Sequence, residues 1–311
     1  MDNEINPLVS ICIPTYNQTE YLRILLKSIA DQTYTRYEVI ISDDSTSSSV
    51  ESLIKHFHFN GPLFYQKNST PLGSPENWNA AIAKSKGKYI KIMHHDDAFT
   101  TKDALAKMVM KIESQQLDFV FSDSRVVNVK DGSKSRTHQV NKLRKLLRHP
   151  EYLFFGNSIG APSSLMYNNE KAGSLKYDKR FIWLVDVEFY YRLLSYSKNG
   201  AAINEEFILT HDSAEHQLTT QINLNFKLRF EEQMRFFERV AGRSNSFVRF
   251  FMQAYMLRML FQAKEKDSKF TQPVNHLSLI RLYFSSLRFR PFYFSLYIFV
   301  RLFDLIRKLI F

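Results

Sequence analysis

Short apolar runs alternate with stretches of helical periodicity through the first third of the chain. "LVSICIP" (8–14) reads as a buried strand, and the stretch after it puts Tyr21, Leu22, Leu25, Leu26 and Ile29 on one helix face. Asn17 stands where it can cap that helix, with Glu20 three positions on able to reach back as in a capping box. The step then recurs with strand "YEVIIS" (37–42) and a helix over 50–57, strand "PLFYQK" (62–67) and a helix over 75–84, and strand "KYIKIM" (88–93) and a helix over 101–115. This alternation predicts an α/β fold with a mostly parallel central sheet flanked by helices. Ligands of such sheets bind beyond the carboxyl ends of the strands, which directs attention to the residues after each strand.

Past the strand "LDFVFSD" (117–123) the rhythm loosens. Residues 130–148 read as a charged loop leading into a helix, and "SSLMY" (163–167) as a later strand. From residue 223 the chain is mostly helical, with Arg, Lys, Phe, Tyr and Leu interleaved and no internal repeat. We therefore expect one domain over 1–220, its halves about 1–125 and 126–220, and a helical C-terminal extension over 221–311.

Composition narrows the setting. Cys12 is the one cysteine, so no intramolecular disulfide can form, and its apolar run suits a thiol packed in a core. The opening "MDNEINPLVS" lacks the pattern of a secretory signal, which predicts a cytoplasmic protein. A net charge of +11 attracts polyanions without choosing among them. The tail from Pro291 to Phe311 has ten uncharged residues before Arg301, Asp304, Arg307 and Lys308 interrupt, too short a run to span a bilayer but suited to an anionic membrane surface; a helix buried on the first domain is the alternative. No recognised nucleic-acid motif accompanies the charge, which sets nucleic acid aside as a partner.

The residues after the strands carry chemistry. "PTYN" (14–17) offers a rigid turn and an aromatic face for a nucleobase, or is an ordinary strand-to-helix turn. In "SDDS", Asp43 or Asp44 can accept a base N–H or a ribose hydroxyl, or form an Asx turn. "MHHDDAF" sets His94, His95, Asp96 and Asp97 directly after an apolar strand, a donor set for Mg²⁺ or Mn²⁺ with substrate phosphates; a solvated loop is the plainer reading. In "WLVDVEFYYRLL", Asp186 sits at a helix start with Phe189, Leu193 and Leu194 behind it, placed to act as a general base or to be held by the helix dipole, while Glu188 and Arg192 are spaced for an ion pair.

In their order and spacing, "VSICIPTYN", "YEVIISDDS", "GSPENWNAAIAKSKGKYI" and "HHDD" resemble the family 2 glycosyltransferases of the GT-A fold, over about residues 8–220. The resemblance implies inverting transfer of a sugar from a nucleotide-diphosphate donor, a UDP-sugar foremost, to a glycan or lipid-linked glycan acceptor in surface polysaccharide synthesis. It implies that Pro14, Thr15, Tyr16 and Asp43 surround the base, with Asn17, Asp44, His95 and Asp97 as further nucleotide-sugar contacts and Asn79 and Lys84 lining the donor pocket. Asp96 would hold the metal, joined by a late histidine, His211 in preference to His216, and Asp186 would be the base with Glu188 in reserve. Two departures stand out: His94 replaces the first Asp of the family's Asp-x-Asp, and Val185 replaces the Glu of its late Glu-Asp pair. The rival readings are a nucleotide-sugar pyrophosphorylase-like enzyme, which would want a Gly-rich phosphate loop that is not visible, and a non-catalytic basic scaffold.

If the tail is an interfacial anchor, deleting residues 291–311 releases the protein from anionic liposomes without changing hydrolysis of a soluble donor. Equal sedimentation with and without the tail contradicts it.

Overall fold

Strand β1 (Val9–Thr15), buried along its whole length, is the axis of the sheet. It pairs in parallel with β2 (Tyr37–Asp43) on one side and β4 (Tyr89–Ile92) on the other, and β2 pairs in parallel with β3 (Leu63–Lys67). The computed structural model describes residues 8–57, 59, 61–137, 139–172, 175–212 and 225–266. Between these strands run α1 (Thr19–Ala30), α2 (Ser49–Lys55) and α3 (Glu76–Ile82), with α4 (Ala104–Ser114) after them, as the periodicity predicts.

The second half makes the sheet mixed. β8 (Leu165–Asn168) lies between β4 and β6 (Phe119–Asn128), antiparallel to both, while β9 (Gly200–Asp212) runs parallel to β6. β5 (Ala98–Phe99) pairs antiparallel with β9, and β7 (Lys134–Arg136) forms a hairpin with β6 inside the stretch expected to be loop. Among the described residues the order is β3-β2-β1-β4-β8-β6-β9-β5. Because β6 and β9 keep the direction of β1 and β8 opposes it, the ends of β1, β2, β4, β6 and β9 share an edge with the start of β8. Helices α5 (Gln139–Arg148), α6 (Asn169–Ala172) and α7 (Val185–Tyr196) complete this part.

Period-two alternation assigns the faces. Val9, Ile11, Ile13, Val39 and Ile41 enter one cluster with Leu22, Leu25, Leu26 and Ile29 of α1 and Leu105, Met108 and Ile112 of α4. Cys12 is buried, and burial pushes its thiol well above the ordinary range, which makes it core packing rather than a reactive group.

The expected capping box of α1 does not form. Gln18 is the N-cap and makes no side-chain cap bond, while Asn17 adopts a left-handed φ of 53°. The short amide tolerates that conformation. It is used across loops instead: Asn17 N donates to Ser45 Oγ at 2.8 Å, and Thr46 N donates to Asn17 Oδ1 at 3.1 Å.

Among the described residues, those of 8–150 with 158–212 make one compact unit, and those of 151–157 with 225–266 make a second. In the second, α8 (Phe226–Ala241) is capped by Asn225, whose Oδ1 accepts from Leu228 N, and α9 (Ser246–Lys266) follows. Phe154 stacks on Phe236 and meets Phe237 and Tyr255 edge-on, while Gln233 Nε2 donates to the Phe154 carbonyl at 2.8 Å. Part of the aromatic surplus is spent here. Among the described residues no helix is long and apolar enough to cross a membrane; the tail expected to lie on one is outside them.

Gly87, which leads into β4, has no room for a side chain. A Cβ there would sit 2.7 Å from Ser10 N and 2.8 Å from the Leu8 carbonyl. Gly87→Ala is expected to cost about 1–3 kcal/mol by overpacking, read as a lower denaturant midpoint with unchanged slope. An unchanged midpoint would mean that β1 and this turn move apart freely.

Candidate active site at the carboxyl edge of the sheet

Three loops fix the first side of the site. Pro14 and Thr15 end β1 as buried residues, whereas Tyr16 is half exposed. Asp43 is fully buried: its Oδ1 accepts from Ser45 N at 2.8 Å, an Asx turn, and its Oδ2 accepts from the Tyr65 hydroxyl at 2.8 Å. Asp44 is also buried and holds the β3–α3 loop, accepting from Asn68 Nδ2 at 2.7 Å, Leu72 N at 3.0 Å and Gly73 N at 2.8 Å. Gly73 takes φ +74°, which its lack of Cβ permits. Both carboxylates thus lie beneath the loop surface and stiffen it, with Tyr16 the outward side chain.

The "HHDD" segment follows β4. His94, Asp96 and Asp97 each offer a ligand atom, and these atoms lie within 4.8 Å of one another. The donor set suits a divalent ion, and His94 Nε2 is buried with no hydrogen-bond partner among the described residues, as expected of a nitrogen waiting for a ligand. Burial lowers the His94 imidazole to a pKa of about 4 against the opposing pull of Asp96, so it is neutral near pH 7 and able to ligate. Asp97 is pushed well above the carboxylate range by burial and then by Asp96, with Ser163 and Lys91 acting the other way.

Ser163, in the 3-10 turn that leads into β8, ties this segment down. Its hydroxyl donates to Asp97 Oδ2 and accepts from His94 N at 2.9 Å. Lys91, fully buried in β4, donates to the Ser163 carbonyl; desolvation drops its pKa to about 7 while Asp97 opposes the shift. His211, near the end of β9, reaches the same place, with Nδ1 2.8 Å from the Asp96 carbonyl and its ring 5.2 Å from Tyr21. His216 lies outside the described residues, and His95 is half-buried beside the cluster.

Asp186, half-buried in the first turn of α7, accepts from Val187 N at 2.8 Å. A chain of rings joins this helix to the cluster: His94 to Trp78 at 4.5 Å, Trp78 to Tyr177 at 4.9 Å, and Tyr177 stacked on Phe189 at 4.2 Å. The charge of Asp186 is felt by Tyr177 and Tyr190, and that of Asp97 by Tyr190 as well. Glu188 is fully buried in a two-bond pair with Arg192, at 2.6 and 2.8 Å, which makes it a structural partner and removes it as a reserve base.

Of the two residues expected to line the donor pocket, Asn79 is bonded within this chain of rings and Lys84 lies past the far end of α3. Asn79 spends its amide on the backbone of Tyr177, donating to the carbonyl and accepting from the N–H, both at 2.9 Å. Lys84 is exposed beyond the C-terminal end of α3, its ammonium 5.7 Å from the Phe64 ring near the start of β3. Helix α3 returns from the carboxyl edge, so one end of it faces the site and the other the opposite edge; Lys84 is at the wrong end. Ser163, Trp78 and Tyr177 carry no local signal in the sequence, whereas Lys91 does, as a lone cation in an apolar strand.

The model of the family described as "Glycosyl transferase family 2" matches residues 10–176. The chain is 31% identical over 191 residues to the abequosyltransferase RfbV of Salmonella typhimurium, covering 56% of this chain and 57% of RfbV, so it spans little more than half that relative's length. It shares its fold with S. aureus TarS 1-349 in complex with UDP-GlcNAc, at TM-score 0.60 and 16% identity over 82% of this chain and 72% of that one. It shares it also with the mannosyltransferase PcManGT of Pyrobaculum calidifontis in complex with GDP-Man and Mn²⁺, at 0.56 and 15% over 96% and 84%.

Lys91 yields a pH test. Its folded pKa of about 7 lies below the unfolded value, so folding expels a proton in between. The cost of burying the charge is full below pH 7 and is relieved as the pH rises. Parent stability should therefore gain on that of Lys91→Met between pH 7 and 10, by at most about 1.4 kcal/mol per unit. Parallel stability curves for the two proteins would show that Lys91 titrates normally.

Proposed function

The chain belongs to glycosyltransferase family 2, and from that membership and the geometry of the carboxyl edge we propose that it moves a sugar from a nucleotide diphosphate, a UDP-sugar foremost, to an acceptor hydroxyl with inversion. The observation that most supports the reading is the run of ring contacts from His94 through Trp78 and Tyr177 to Phe189 of α7, the helix whose first turn holds the candidate base Asp186. The nucleotide-sugar complex of TarS and the Mn²⁺ complex of PcManGT support the donor class and the ion.

The division of labour follows the chemistry. Pro14, Thr15 and Tyr16 take the base, on a loop braced by Asn17, Asp43 and Asp44. Asp96, with His94 and Asp97 beside it and His211 bonded to its carbonyl, would hold Mg²⁺ or Mn²⁺. When bound, the ion neutralises the charge that gathers on the departing diphosphate. Asp186 orients the acceptor hydroxyl and takes its proton as the oxygen attacks the anomeric carbon and the bond to the phosphate oxygen breaks. No covalent enzyme intermediate is required. The acceptor is a glycan or lipid-linked glycan of surface polysaccharide synthesis, met at an anionic membrane surface by the basic aromatic tail; the composition of that tail supports this location.

Asp186→Asn keeps shape and hydrogen-bonding reach but loses the proton acceptor. Transfer should fall by a factor on the order of 10² or more with donor affinity unchanged. Transfer near the parental rate would remove Asp186 as the base. Excess chelator, or Asp96→Ala, should abolish turnover of the donor, and full activity in either condition contradicts the ion's role.

A further inference from the structure

Helix α5 carries a charge pattern that packing does not explain. The sequence over 132–150, "GSKSRTHQVNKLRKLLRHP", contains no Asp or Glu. Leu143 and Leu146 of the helix are buried, and it packs on β9 and α7. At about 3.6 residues per turn, Arg144 and Arg148 stand one turn apart on the side away from those leucines, and both are exposed. Lys142 and Leu147, each half-buried, border that side. None of Lys142, Arg144 and Arg148 has an acidic partner among the described residues. Other helices use the same four-residue spacing for attraction, pairing Lys27 with Asp31, Glu51 with Lys55, Asp103 with Lys107 and Glu188 with Arg192. Arg144 and Arg148 repel each other instead. The helix dipole favours a cation in the last turn, which accounts for Arg148 but not for Arg144 or Lys142. An anion lying across both guanidinium groups turns the repulsion into attraction. The exposed side of the helix offers no aromatic ring on which a nucleic-acid base could stack, and a cationic stripe bordered by a leucine matches a plane of anionic headgroups.

We propose that α5 docks the first compact unit on an anionic membrane, with Arg144 and Arg148 among the lipid headgroups and Lys142 and Leu147 at the margin. The inference rests on the membrane location in the proposed function, but on a described helix rather than on the tail. It sets the bilayer beside α7, the helix whose first turn carries Asp186.

The test is sedimentation of the full-length protein with vesicles of phosphatidylcholine, alone or with about one part in three of phosphatidylglycerol. The parent should bind the anionic vesicles only, and less as salt is raised. Arg144→Gln with Arg148→Gln should lower that binding by on the order of tenfold or more, each cation near the surface contributing a factor of about five. Arg144→Lys with Arg148→Lys keeps the charge and should bind as the parent does. Lys84→Gln with Lys86→Gln removes equal charge from exposed positions between α3 and β4, at the opposite edge of the sheet, and should change binding little. Binding unaffected by loss of the two arginines, or lowered as much by loss of the two lysines, would overturn the inference and leave the tail as the membrane contact. A parent that ignores anionic vesicles would overturn it together with the membrane location. Should the double Gln variant fail to fold, each single substitution is read in its place, with a loss of about fivefold expected and no loss overturning the inference.

Discussion

The parallel pairing of β1 with both neighbours is the constraint on which the rest depends. Thr15 lies opposite Asp43, and Asp43 opposite Lys67, so three loops leave the sheet at one level. β4 runs in the same register beside Cys12 and delivers the histidines and aspartates a few residues further on. A slip of one residue would turn every side chain of β1 to the other face and exchange Ile11 and Ile13 for Ser10 and Cys12 in the main core cluster. The site is therefore held by the same apolar burial that holds the fold.

The first half of the molecule was legible because its strands are continuous apolar runs and its helices carry an apolar stripe. The loops after β1, β2 and β4 could be singled out from topology, since a parallel sheet puts them on one edge. The role of each carboxylate there was not legible. Asp43 and Asp44 are adjacent in sequence and identical in type, yet one forms an Asx turn and the other clamps a loop nearly thirty residues away. Ser163 was hidden because β8 is short and reversed, so nothing local announces that its leading turn meets the end of β4. Lys84 belongs to the same motif as Asn79, but α3 carries the chain away from the edge before reaching it.

The electrostatics of the edge are a balance of buried groups. Asp97 would be costly to ionise alone; Ser163 and Lys91 lower that cost, and Asp97 in turn opposes the neutralisation of Lys91. Ser163 serves both sides, its hydroxyl on the carboxylate and its carbonyl on the ammonium. The loop after β4 is thereby tied down by the turn that leads into β8 rather than by the loop itself.

The clasp between Asn79 and Tyr177 has a consequence for how such a chain can change. The family model ends at residue 176, and the clasp grips the next residue. It holds that residue by its backbone N–H and carbonyl, groups that nearly every amino acid possesses. The clasp is therefore indifferent to side-chain identity at its far end, although the Tyr177 ring has contacts of its own with Trp78 and Phe189. The residue it grips can be rewritten without losing the clasp, and the constraint on the segments beyond residue 176 is carried by their ring contacts and by the pairing of β9 with β6.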